Sequence, residues 1–365
     1  MRKLRPLLSA LTVLTVIGLC TSFAFALQPN FGFGRSLRFH NGTFKIVQFT
    51  DTQDDQDIDE RTVELIEAVL DDQKPDLVIF TGDNIAGKKM TAQQVQKAID
   101  NIAQPVEAQR IPWLITFGNH DEEHVENSGL DEEAMLDIYM SYPHNINEPS
   151  PKGVHGTGNM NVLIRSSRGI KPAFNIWALD SGRYAPEKIA DQSIDEDFLL
   201  GWNSMPDWDW IRPSQVSWYY YTSSMLETIY RKKIPSLMFF HIPLQEFRTM
   251  YENHLADNGG FDQHEVTGER NEDECPGPFN SGLFSAMLER GDVLGVFVGH
   301  DHVNNYVGNY FGITLGYSAN TGFGTYGLGG NENNRLRGAR VFVLDESNPT
   351  EFETYMIYAK DYGIQ

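Results

Sequence analysis

At 365 residues the chain is long enough for one large domain or two small ones, and 41% hydrophobic with 12% aromatic residues is ordinary globular material without repeats or low-complexity blocks. A formal charge of −21 sets up a field that repels polyanions, which argues against long nucleic acid as a partner and is compatible with binding cations. Two cysteines exclude a disulfide-stapled scaffold.

The first 26 residues read as a signal peptide rather than as part of the fold. Arg2, Lys3 and Arg5 precede an apolar run from Leu7 to Cys20, and Ala24-Phe25-Ala26 fits an A-x-A cleavage site. Cleavage there would leave no stable membrane span and would take the formal charge from −21 to −24, since three positive charges are removed. Cys275 would be the single remaining thiol. The pattern predicts a secreted or periplasmic protein whose residues 27–365 form a single domain.

Residues 27–43 read as a lead-in. Phe44 to Thr50 alternates as a strand and ends in Asp51-Thr52-Gln53-Asp54-Asp55. A helix is predicted from about Asp59, its N-cap, to Asp72, with Pro75 just beyond. Asp76 to Thr81 is a second strand closed by Gly82-Asp83-Asn84, Thr91 to Ala108 a second helix, and Ile111 to Phe117 a third strand closed by Gly118-Asn119-His120-Asp121. This β-α-β-α-β rhythm predicts parallel pairing with right-handed crossovers.

The rhythm then changes. Residues 122–234 read as a substrate-side insertion with a helix from Asp131 to Met140, paired strands at Asn161–Arg165 and Phe174–Asp180, an irregular tryptophan-rich stretch over 182–212, and a helix from Pro213 to Arg231. The aromatic face of that helix, Trp218, Tyr219 and Tyr220, is expected to pack in a core. Ser236 to Phe240 is another strand, ending in His241-Ile242-Pro243, and residues 245–280 are expected to form a polar loop on the substrate side. After a helix from Ser281 to Arg290, the apolar run Val293 to Val298 ends in Gly299-His300-Asp301-His302. Three further strands are predicted at Tyr310–Tyr317, Ala339–Leu344 and Glu351–Tyr358, with a glycine- and asparagine-rich loop over 318–334 between the first two. Parallel units therefore come early and an antiparallel set late.

Five apolar runs end in oxygen or nitrogen donors: Asp51, Asp83, Asn119, His241, and His300 with His302. Carboxyl ends of strands in open α/β sheets line one crevice. Two carboxylates, an amide oxygen and three imidazoles are too many for one tetrahedral ion and suit two ions sharing a bridge, for which Asp83 is the natural candidate. Singly, each of these residues reads as a turn or core residue; in series they point to a metal centre. His124, His144, His155, His254 and His264 have no strand-end placement and read as surface or substrate-loop residues.

These blocks resemble the calcineurin-like metallophosphoesterases, purple-acid-phosphatase-like branch, whose pattern is Asp-x-His, Gly-Asp-x-x, Gly-Asn-His-Asp/Glu, a lone His and Gly-His-x-His. Here they stand as Asp51-Thr52-Gln53, Gly82-Asp83-Asn84, Gly118 to Asp121, His241 and Gly299 to His302. The resemblance implies an α/β (α+β) fold, a four-layer α/β/β/α sandwich of two mixed sheets flanked by helices. It implies one metal held by Asp51, Asp83 and His302, a second by Asp83, Asn119, His241 and His300, a catalytic His120 near the leaving oxygen, and Asp121 orienting His120. It departs from the pattern at Gln53, where the family has His, and at Ala86, where purple acid phosphatases have Tyr. Gln53 could bind a metal through its amide oxygen or hydrogen-bond a metal-bound water; Asp54 and Asp55 read as a solvated acidic loop.

The reaction implied is hydrolysis of a small phosphate ester by hydroxide held on two divalent or trivalent ions (Fe, Zn, Mn or Ca), a phosphomonoesterase activity. The alternatives are a phosphodiesterase or nucleotidase on the same centre, and a non-catalytic metal- or phosphate-binding protein.

Overall fold

Strand β1 (Thr43–Phe49) divides its side chains between two cores: Phe44 and Ile46 face one, Val47 and Phe49 the other. The computed structural model containing it describes residues 37–186, 188–189, 192–193, 208–256 and 265–365; the expected signal peptide, much of the tryptophan-rich stretch and His264 lie outside these. Helix α1 (Glu60–Gln73) starts where the Asp59 carboxylate accepts from the Arg61 N–H, and stops at Lys74, which adopts a left-handed conformation before Pro75. Strand β2 (Leu77–Thr81) follows. Helix α2 (Ala92–Gln109) opens on a reciprocal Thr91–Gln94 cap and leads to β3 (Trp113–Thr116). β1, β2 and β3 pair in parallel, as their spacing predicts.

Next come α3 (Val125–Ser128), α4 (Glu132–Met140), an antiparallel pair β4 (Met160–Arg165) and β5 (Pro172–Ala178), and a minimal hairpin β6 (Lys188–Ile189) and β7 (Gln192–Ser193). Then follow α5 (Pro213–Tyr230), β8 (Ser236–Phe239), α6 (Gln245–Ala256), β9 (Val266–Thr267), α7 (Leu283–Arg290) and β10 (Val293–Val298). The chain closes with β11 (Val307–Tyr310), β12 (Ile313–Tyr317), β13 (Gly338–Asp345) and β14 (Phe352–Tyr358).

Two mixed sheets result, in the orders β14-β13-β1-β2-β3 and β4-β5-β8-β10-β12-β11-β9. Between them lies a core in which Ile46, Ile79, Leu114 and Phe342 of the first sheet meet Ile176, Leu237, Phe239 and Phe297 of the second. A second core joins the other face of the first sheet to Leu65, Ile66, Val69 and Leu70 of α1 and to Val95, Ile99, Ile102 and Val106 of α2. α5 packs outside the second sheet, with Tyr219 edge-on to Trp177 at 5.1 Å and its hydroxyl bonded to Asp292. The four-layer α/β/β/α sandwich is therefore present, and the aromatic face of α5 is core packing at Trp218 and Tyr219, while Tyr220 bonds Glu289 nearer solvent.

Four expectations change. Residues 122–234, expected as a substrate-side insertion, supply β4 and β5 to the second sheet and α5 to its outer layer. Residues 245–256 are not loop but α6: Phe247 and Met250, three apart, are buried on one face, a short stripe masked by polar neighbours. The strand expected over Tyr310–Tyr317 is a hairpin, because Phe311 and Gly312 both take positive φ and turn the chain. Asp54 is not solvated; it is buried, accepting from the N–H groups of Asp55 and Asp59, and it organises the loop ahead of α1.

One carboxylate ties α2 to the edge of the first sheet. Glu107 accepts from Trp113 Nε1 at 2.7 Å, from the His144 N–H at 2.8 Å and from His144 Nδ1 at 2.6 Å. Burial alone would raise its pKa; the Trp113 and His144 donors outweigh it and hold the group below its ordinary 4.5. A carboxylate with a depressed folded pKa stabilises above its unfolded pKa, and the benefit is lost as pH falls through the folded value. Glu107→Gln should therefore lose about 1–3 kcal/mol at neutral pH. The gap from wild type should close in acid; denaturant titrations across that range would test this, and a pH-independent gap would contradict it.

Candidate metal centre

The five strand-end blocks meet at one rim. The loops after β1 and β2 zip together, Asp51 N–H donating to the Gly82 carbonyl at 3.1 Å and Gln53 N–H to the Asp83 carbonyl at 2.9 Å. Their turns are tight: Asp51, Gln53, Asp83 and His300 all have positive φ, at 50°, 38°, 48° and 75°. Such conformations in non-glycine residues cost of order 1–3 kcal/mol each and survive where surrounding structure enforces them. Two motif glycines make room. A Cβ on Gly118 would lie 2.8 Å from the His241 ring and closer still to Asp83, and one on Gly299 would lie 2.7 Å from Asp51 Oδ2.

Asp51, Asp83 and His241 each have one atom tied down and another left over. Asp51 Oδ2 accepts from Thr50 Oγ1 at 2.8 Å and from the His300 N–H at 3.2 Å. Asp83 Oδ1 accepts from the His120 N–H at 2.8 Å. His241 Nδ1 donates to the Thr81 carbonyl at 2.8 Å, which fixes the tautomer and presents Nε2 inward, 3.2 Å from Asp83 Oδ2. His302 Nε2 stands 3.3 Å from Asp51 Oδ1. Donor atoms of Asp83, His241 and His300 lie within 4.8 Å of one another, as do those of Asp51, Asp83 and His302; Asp83 is common to both groups.

Four inward atoms, Asp51 Oδ1, Asn119 Oδ1, His241 Nε2 and His300 Nε2, are buried without a hydrogen-bond partner. Leaving such groups unpaired costs about 1–3 kcal/mol apiece. Their clustering at one point, with a donor chemistry of carboxylate, amide oxygen and imidazole, fits two cations bridged by Asp83. The electrostatics agree. Burial would lower the His241 pKa, but Asp83 and Asp51 outweigh it and push it up to about 10. Burial and the neighbouring His241 push His300 well down. Burial would raise both carboxylates, yet His302 and His241 hold Asp51 low and His241 holds Asp83 low.

Other expected site residues sit differently. Gln53 Oε1 accepts from Thr325 Oγ1 at 2.5 Å. Asp121 does not orient His120. Its carboxylate accepts from the N–H groups of Gly118 (2.8 Å), Asn84 (2.8 Å) and Ile85 (3.1 Å), so it clamps the Asp83 loop, and burial beside Asp83 raises it to about 7. The carboxylate at His120 is that of Glu123, 3.0 Å from Nδ1, brought there by a turn in which the Glu123 N–H donates to the His120 carbonyl at 3.2 Å. His120 itself is partly exposed. His124 is buried against Ser128, not superficial, and His144 is the partner of Glu107. Burial beside Asp301 pushes the Cys275 thiol up to about 12, consistent with no nucleophilic role.

Sequence reasoning missed several neighbours. Arg183 donates to the Asn119 carbonyl at 3.3 Å and to Glu122 at 2.8 Å; it follows β5 as the other site residues follow their strands, so the same strand-end logic would have found it. Trp208 stacks on Tyr184 (5.6 Å) and meets the His300 ring edge-to-face at 4.5 Å. Tyr326 stacks on His302 with ring centres 4.0 Å apart. Nothing in the glycine-rich loop sequence marks Thr325 or Tyr326.

Residues 44–304 match the family described as calcineurin-like phosphoesterase. The chain belongs to that family. The proteins of Arabidopsis thaliana named probable inactive purple acid phosphatase 14 and 29 are 31% and 33% identical to it, covering 88% and 85% of this chain and 81% and 79% of their own lengths. Its fold is similar to that of a dimetal phosphatase from Danio rerio, with a TM-score of 0.51 at 12% identity over 86% of this chain and 98% of the other. This calcineurin-like phosphoesterase carries two groups of donors that could hold metal, with Asp83 in both.

Gly118→Ala and Gly299→Ala should each empty this site by pushing Asp83 or Asp51 aside, whereas Gly329→Ala, in open space, should not. Metal content by mass spectrometry of the purified variants measures this; full metal content in Gly299→Ala would count against the packing argument.

Proposed function

We propose that this chain is an exported, metal-dependent phosphomonoesterase acting on a small phosphate ester. The observation that carries the reading is the set of four unpartnered buried donors at one rim, with a histidine and an arginine beside it. Two bound cations would supply Lewis acidity and an activated water. Asp51, Asp83, Asn119, His241, His300 and His302 would hold them.

The chain's own residues do the rest. Asp83 Oδ1, anchored by the His120 N–H, fixes both the carboxylate and the start of the His120 segment. Glu123 at His120 Nδ1 sets the ring so that Nε2 is the nitrogen offered to the leaving oxygen. Arg183, anchored on Asn119 and Glu122, balances phosphate charge. Trp208 and Tyr184 wall the site beside His300. The N-terminal 26 residues support export, and no described helix is long and apolar enough to cross a membrane. We place residues 27–365 in a single domain.

A second reading, a non-catalytic metal- or phosphate-binding protein, is favoured by one observation: Gln53 stands where the family has His, and its amide oxygen is engaged by Thr325. The names of the two plant relatives point the same way for those proteins. Hydrolysis of p-nitrophenyl phosphate and bis-p-nitrophenyl phosphate with added Mn²⁺, Zn²⁺, Fe²⁺ or Ca²⁺ separates the readings. The monoester should turn over faster than the diester. Asp83→Asn and His300→Ala should abolish turnover, and exposed His155→Ala should not. A faster diester rate would favour the phosphodiesterase alternative, and no rate with any ion would favour the binding protein.

A further inference from the structure

The two halves of the rim are not equivalent. One offers Asp83, His241 and His300, with the buried, unpartnered Asn119 Oδ1 alongside: four donors, two of them imidazoles. The other offers Asp51, Asp83 and His302: three donors, one of them an imidazole and one shared. Three of the four unpartnered atoms (Asn119 Oδ1, His241 Nε2, His300 Nε2) belong to the first half.

Among the described residues, the second half's carboxylate and imidazole group has three members. Gln53 stands where the family pattern has a His, and its amide oxygen already accepts from the Thr325 hydroxyl at 2.5 Å. Thr325 is itself held in place. Arg337, buried, donates Nη2 to the Thr325 carbonyl at 2.8 Å and Nη1 to the Gly322 carbonyl, and its guanidinium lies over the Phe323 ring. Gly322 N–H donates to the Asp51 carbonyl at 3.1 Å, which ties the same loop to the ligand segment. Tyr326 covers the outer face of His302, and its hydroxyl is anchored on Glu272 at 2.9 Å. The Thr325 hydroxyl on Gln53 thus comes from a loop whose backbone is fixed by Arg337.

We infer that the two cations bind with unequal strength: one is retained at Asp83, Asn119, His241 and His300, and the other exchanges at Asp51, Asp83 and His302. The inference rests on the reading of the rim as a dimetal phosphoesterase centre. Imidazole-rich donors suit Zn²⁺ and its neighbours, whereas a carboxylate-dominated set with open positions suits a harder ion such as Mn²⁺ or Mg²⁺. The chain is then a protein whose second ion is supplied by the free cation of its surroundings, so that cation concentration governs how much of it is doubly loaded.

The test uses the full chain, purified, dialysed against metal-free buffer and analysed by mass spectrometry, then titrated with Mn²⁺ by calorimetry and by electron paramagnetic resonance. The expected result is one retained ion per chain and a second Mn²⁺ event at least about tenfold weaker, a gap of the size that ligand environment produces. His302→Ala should remove the weaker event and keep the retained ion; His300→Ala should lose the retained ion. Gln53→His, which adds an imidazole and cannot accept the Thr325 bond in the same way, should tighten the weaker event. Two ions retained equally, or the retained ion lost in His302→Ala but kept in His300→Ala, would overturn the inference while leaving the phosphoesterase reading intact. No ion bound at any concentration would overturn both. The wild-type stoichiometry carries the test even if a variant fails to fold.

Discussion

Two carboxylates buried side by side are the constraint from which the rest of this structure follows. Asp51 and Asp83 donor atoms fall in groups no wider than 4.8 Å. At that separation two unit charges repel by about 3 kcal/mol even at an effective dielectric near 20. Burial adds a desolvation cost, and protein alone offsets both with His241 and His302. Asp121, directly behind, is pushed up to about 7 by the same burial and by Asp83, although three backbone N–H groups favour its charged form. Cations held by these groups would offset the repulsion and give the unpartnered oxygens and nitrogens of Asp51, Asn119, His241 and His300 a partner.

Holding these groups together takes backbone as well as side chains. The rim residues sit in left-handed turns immediately beyond strands, where the chain must leave the sheet at once. What enforces those turns is the sandwich below. Gln48 on β1 donates to Thr81 Oγ1 at 2.8 Å and to the Val298 carbonyl on β10 at 3.2 Å, stitching the sheets one residue pair beneath the donors. Thr321 bonds the Thr50 backbone twice, its N–H donating to the Thr50 carbonyl at 2.9 Å and its hydroxyl accepting from the Thr50 N–H at 3.3 Å. Fold and site are one construction: the inter-sheet core sets the spacing at which His241 and His300 can face Asp51 and Asp83.

That construction was legible in the sequence wherever a strand was short, apolar and closed by a donor. The blocks ending in Asp51, Asp83, Asn119, His241 and His300 are such cases, and Asp59 and Thr91 marked their helix starts because their side chains have one local job. What escaped was set by tertiary contact. α6 carries only Phe247 and Met250 as its buried face, too sparse a stripe to stand out from a polar segment. The family resemblance implied that Asp121 orients His120, but the chain turns there, directing Asp121 inward to backbone donors and leaving Glu123 to meet the ring. Thr325 and Tyr326 reach the site from a loop more than 270 residues after Gln53 in the chain, where no local pattern exists to read.

The Gln53 substitution looks different once its partner is seen. Taken alone, an amide where the family has imidazole is a lost ligand. In the fold it is one bond in a closed set: Gln53 to Thr325, Thr325 to His302 Nδ1 at 3.3 Å, the Thr325 carbonyl to Arg337, and Arg337 to Gly322 and to Asn334 Oδ1 at 2.8 Å. Arg337 is a deeply buried cation whose hydrogen bonds all go to carbonyl and amide oxygens of this loop, with the Phe323 ring beneath its guanidinium. That loop holds His302 by stacking and by hydrogen bond. The chain has therefore exchanged a metal ligand for a rigid wall around His302. A centre built this way keeps the geometry of both positions while giving them different claims on a cation.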